Sequence, residues 1–81
     1  MRFDVISKEG RVIYFSLAHT MKEVLGEVEE LTRKGRFNLE KPKYIRADPF
    51  MTYKYYNMDG TENYERTRKH LIEAGYGEYL K

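Results

Sequence analysis

The stretch Thr20-Met-Lys-Glu23, with a glycine at position 35, constrains this chain more than any other feature. It is a capping box: the Thr20 hydroxyl takes the Glu23 amide while the Glu23 carboxylate reaches back. Met21, Val24, Leu25, Val28 and Leu31 follow at helical spacing and form one apolar stripe. Glu29 and Arg33, and Glu30 and Lys34, stand four residues apart in the favourable orientation. Gly35 can take the left-handed conformation that closes a helix. The spacing predicts a helix over about 20–34, and a one-striped helix must bury that stripe against a second layer.

Alternating segments supply the layer. Residues 2–7 and 11–17 read as strands, joined by the three-residue hairpin loop Lys8-Glu9-Gly10. A linker over 36–42 ends in Pro42, and residues 43–47 read as a third strand. Asp48-Pro49 fits a type I turn, and Phe50–Asn57 reads as a fourth strand by its aromatic and β-branched content. Asp59-Gly60 ends it, with Asp59 or Thr61 capping a second helix from about Thr61 or Glu62 to Ala74. Gly75 closes that helix, and Tyr76, Tyr79 and Leu80 form an apolar tail. The expected fold is α+β: a ββαββα two-layer domain over 1–81, its four-stranded, mainly antiparallel sheet carrying two helices on one face. The two halves repeat an architecture and little residue identity.

Function classes narrow by what the chain lacks. It has no cysteine, so disulfides and thiolate zinc sites are excluded. His19 and His70 stand without a ligand cluster, and Asn57–Thr61 has the wrong glycine and acid spacing for a calcium loop. No nucleophile setting, convergent carboxylate pair or phosphate loop is legible. The expectation is a non-enzyme with no cofactor and no metal. The longest strongly apolar run, Val12–Phe15, builds neither a signal peptide nor a membrane span, so a cytoplasmic location is expected. A net charge of +2 is too balanced to announce a nucleic-acid binder. In the basic run Arg66–His70, Arg66 and Lys69 have acidic residues four positions earlier, as on a solvated helix.

Alternation then sorts side chains into two faces. Phe3, Val5, Ile13, Phe15, Leu17, Ile45, Ala47, Met51, Tyr53 and Tyr55 are expected inward. Lys54 is an unsuitable neighbour for a helix and sets the parity of the fourth strand. Ile6, Val12, Tyr14, Tyr44, Phe50 and Tyr56 are then expected outward, among Arg2, Arg46 and Lys54. Such an apolar load approaches or exceeds what one exposed patch usually carries. The C-terminal tail or the 36–42 linker would cover it, or a partner would. The leading expectation is a small binding protein of adaptor or inhibitor type. Tyr14, Tyr44, Arg46, Phe50, Lys54 and Tyr56 would dock a protein partner or a second copy in a homodimer. The alternative is a nucleic-acid-binding module that stacks single-stranded bases on the same face.

Overall fold

The computed structural model describes residues 2–47 and 54–75. They form β1 (Phe3–Ser7), β2 (Val12–Ser16), α1 (Met21–Arg33), β3 (Pro42–Ala47), β4 (Tyr55–Asn57) and α2 (Tyr64–Glu73). The strands make one antiparallel sheet in the order β2-β1-β3-β4. The expected class, an α+β arrangement with four antiparallel strands and two helices in ββαββα order, is what the chain adopts. The expected fourth strand keeps only its last three residues in β4, and its first half, with Asp48-Pro49, lies outside the described residues.

Helix α1 begins and ends as its sequence dictates. Thr20 Oγ1 accepts the Glu23 amide at 3.2 Å, while the Glu23 carboxylate accepts the His19 amide, one residue beyond the cap, at 3.3 Å. At the far end Gly35 has φ +79. The Arg36 amide donates to Leu31 O at 2.9 Å and the Gly35 amide to Thr32 O at 3.0 Å, so the last carbonyls are satisfied in a Schellman motif. Glu30 pairs with Lys34 at 3.6 Å, and Arg33 turns to Glu30 instead of Glu29. The stripe seats Val24 and Val28, with Phe37 from the following loop, on Phe3, Val5, Ile45 and Ala47. Each aliphatic side chain buried there contributes about 1.5–3 kcal/mol.

Helix α2 starts later than expected, at Tyr64, because Asn63 is its cap: Asn63 Oδ1 accepts the Arg66 amide at 2.9 Å. Asp59 and Thr61 serve the preceding turn, with Asp59 accepting from the Thr61 amide and hydroxyl. The chain between is held extended against β4. Asn57 N–H donates to Thr61 O, Asn63 N–H donates to Tyr55 O, and Glu62 bridges to Tyr56. Held in this way, residues 61–63 cannot coil into the helix.

The register settles which side chains share a face. Val5 lies opposite Ile45, and Ile45 opposite Tyr56; Asp4 lies opposite Arg46, and Arg46 opposite Tyr55. β1 and β3 therefore present the expected core residues to α1. In β4 the parity is reversed. Tyr56 packs against the α1-side core and Tyr55 lies on the second face. Lys54, which set the expected parity, lies just outside the ladder and reaches Glu62 at 3.8 Å. Arg66 and His70 of α2 pack on Tyr55, so the helices do not share one face. α1 covers the first, and α2 sits at the β4 margin over the second.

β2 is reversed as well. Phe3 lies opposite Ser16, and Val5 opposite Tyr14, so Tyr14 and Ser16 turn towards α1 and Phe15 turns away. The polar atoms explain it: Glu27 of α1 accepts the Tyr14 hydroxyl at 2.6 Å and the Ser16 hydroxyl at 2.9 Å. A register shift next to Ile6 then leaves Ile13 and Tyr14, adjacent residues, both packed against the core. That is the signature of a bulge, which simple alternation does not anticipate.

Candidate functional site

The two edges of the sheet are finished differently. β4 is sealed by its own chain. Along it, Tyr55 N–H donates to Thr67 Oγ1 at 2.8 Å, Tyr55 O accepts from Asn63, and Asn57 N–H donates to Thr61 O. Among the described residues β2, at the other end of the sheet order, is paired only with β1, and none bonds the outer backbone groups of Val12–Phe15. An edge strand left this way offers a row of free N–H and C=O groups.

The side chains along that edge are apolar and in water. Val12 is 46% exposed, Phe15 52% and Leu17 69%, and Leu39 from the 36–40 loop is fully exposed. Two adjoining hollows share Val12, Ile13 and Arg36, one extending to Leu39 and the other to Phe15, so the strip is continuous. Neither Lys nor Pro interrupts β2. Arg11 closes one end, with its guanidinium paired to Glu40 at 2.7 Å, which holds the Glu40 carboxyl below its ordinary range. On the α1 side the Tyr14 hydroxyl titrates above its ordinary value, chiefly because it donates to Glu27.

The second face is more closed than the sequence suggests. Asp4, Ile6 and Tyr55 are each 2% exposed. Asp4 accepts from Arg2 Nε and Arg46 Nη2, both at 2.8 Å. Arg66 lies 4.4 Å over the Tyr55 ring, and Tyr55 meets Tyr44 edge-on at 6.0 Å. His70 titrates below its ordinary value because burial disfavours the charge, with Arg46 and Arg66 adding to the effect and Glu73 opposing it.

The expected docking residues are therefore not one array. Tyr44 and Arg46 lie together on the second face, half-buried, with Arg46 committed to Asp4. Tyr14 and Tyr56 belong to the α1 side. Lys54 is exposed at the start of β4, and Phe50 lies outside the described residues, as do Tyr76, Tyr79 and Leu80. Sequence reasoning placed Phe15 and Leu17 in the core and did not single out Arg36 or Leu39. The run Val12–Phe15, uninterrupted by charge, was the available signal for an edge that needs covering. Among the described residues no group of acidic and histidine side chains is placed to hold a metal, and no helix is long and apolar enough to cross a membrane. No protein-family model, curated protein or solved structure matches the chain.

Proposed function

We propose that this protein is a small, non-enzymatic binding module of adaptor or inhibitor type that docks a β-strand of a protein partner along the outer edge of β2. The observation that carries this reading is the contrast between the edges: β4 is closed by residues 61–67, whereas β2 is left open by the described residues and flanked by exposed Val12, Phe15, Leu17 and Leu39. Strand addition uses such an edge. The ladder supplies affinity, and alternate side-chain contacts supply specificity. Aliphatic and aromatic groups beside arginine suit the centre of a protein interface. The base-stacking alternative has less support, because its tyrosines are divided between two faces and Tyr55 is covered by Arg66 and His70.

A photo-crosslinking amino acid at position 15 tests the reading, with position 72 on exposed α2 as the control. Protein adducts formed from position 15 in cells, and not from position 72, are the expected result. Nuclease-sensitive adducts, or none, would sink it.

A further inference from the structure

We propose that the cleft between β3 and the first turns of α2 binds the phosphate group of a small phosphorylated ligand. The site lies on the second face of the sheet, with β1 standing between β3 and the open β2 edge, and it does not depend on the docking reading above. Tyr44 of β3 lines it with Asn63, Glu65, Arg66 and Lys69, and the cleft holds about 200 Å³. That is below the roughly 300–1,000 Å³ of sites that enclose drug-sized ligands, so it admits one small group.

The positive charge in the cleft is not neutralised by the chain. Arg66 and Lys69 share one side of α2, three residues apart. The sequence offers each an acid four positions earlier, yet neither pair forms among the described residues. Glu62 reaches Lys54 instead. Arg66 is held by aromatic rings, 4.4 Å over Tyr55 and 5.9 Å from Tyr44, and its Nη1 is enclosed without an acceptor. Stacking fixes a guanidinium and leaves its charge to be met by something else. Glu65 is the acidic residue among those lining the cleft, so two cations face one carboxylate. The positive field reaches the next turn: His70 holds its proton less tightly through burial first, and then through Arg46 and Arg66. A phosphate monoester, with a charge of about −1.5 to −2 and three acceptor oxygens, matches this arrangement. The arginine fork can take two oxygens and the lysine the third. A carboxylate brings one charge and two oxygens.

Titration with inorganic phosphate, followed by NMR at constant ionic strength, tests this. Saturable shifts should appear at Tyr44, Arg66 and Lys69, and acetate at the same concentration should produce much smaller ones. The proton affinity of His70 should rise as phosphate saturates, because the bound dianion offsets the Arg66 charge. Lys69 and Glu65 are both exposed, so substitution leaves the fold intact. Lys69→Ala should weaken phosphate binding roughly threefold, and Glu65→Gln should tighten it by a similar factor. Shifts that never saturate, shifts that acetate reproduces, or binding indifferent to Lys69→Ala would overturn the proposal. A single-stranded oligonucleotide that displaces phosphate with a steep salt dependence would also overturn it, in favour of nucleic acid.

Discussion

Asp4 shows how one buried carboxylate organises a face. It is almost fully enclosed, and two guanidiniums converge on it. Replacing it with Ala leaves the Arg46 guanidinium, whose Nε is already buried without a partner, as an uncompensated charge. A loss of about 3 kcal/mol is expected by chemical denaturation, as when one member of a buried pair is removed. An effect below about 1 kcal/mol would show that water reaches the site. His70 gives a second residue-scale prediction. Tyr55, Arg46, Arg66 and Glu73 surround it, and its folded-state affinity for a proton is below the ordinary value of 6.5. As pH falls below about 6.5 the unfolded chain takes up a proton that the folded chain resists, so stability declines with acid; raising the pH through that range restores it. His70→Asn should flatten this part of the stability profile. A profile unchanged by the substitution would assign the slope to other groups.

At the scale of elements, α1 was legible almost to the residue because its signals are local. A cap, a stripe and a closing glycine each act within a few positions of themselves. Thr20→Ala should cost about 1 kcal/mol, read from denaturant melts. Gly26 lies inside α1 with open space around the position of an added Cβ. Gly26→Ala should therefore stabilise the protein by about 0.5–1 kcal/mol, and a lower melting temperature would show a contact unseen here. The strands were legible as segments but not as faces. In β2 the sets Ile13, Phe15, Leu17 and Val12, Tyr14, Ser16 both look adequate for a core; Glu27, distant in sequence, decides between them by accepting two hydroxyls. In β4 the decision lies with Thr67, Arg66 and His70, which reach back to Tyr55 from the next helix. A one-residue choice of register moves every side chain to the other face. The candidate site was therefore the part least visible in the sequence. Its open edge is a property of strand order, and strand order is set by long-range pairing.

For the whole molecule, amide hydrogen exchange provides a joint test of the two edges. The amides of Tyr55 and Asn57 should exchange slowly, since Thr67 Oγ1 and Thr61 O hold them. The outward amides of β2 should exchange fast in the free protein. Fast exchange at Tyr55 or slow exchange along β2 would contradict this account. The sealed β4 margin also limits what pairing along the sheet can build. A sheet with two sticky borders can recruit copy after copy and elongate into a ribbon, the geometry from which fibrils grow. Here the described residues leave one border to offer, and a strand docked on it consumes it. Growth then terminates with that strand. Loosening residues 61–63, by Asn63→Gly for example, would reopen the second border and turn a finite complex into a seed for polymerisation.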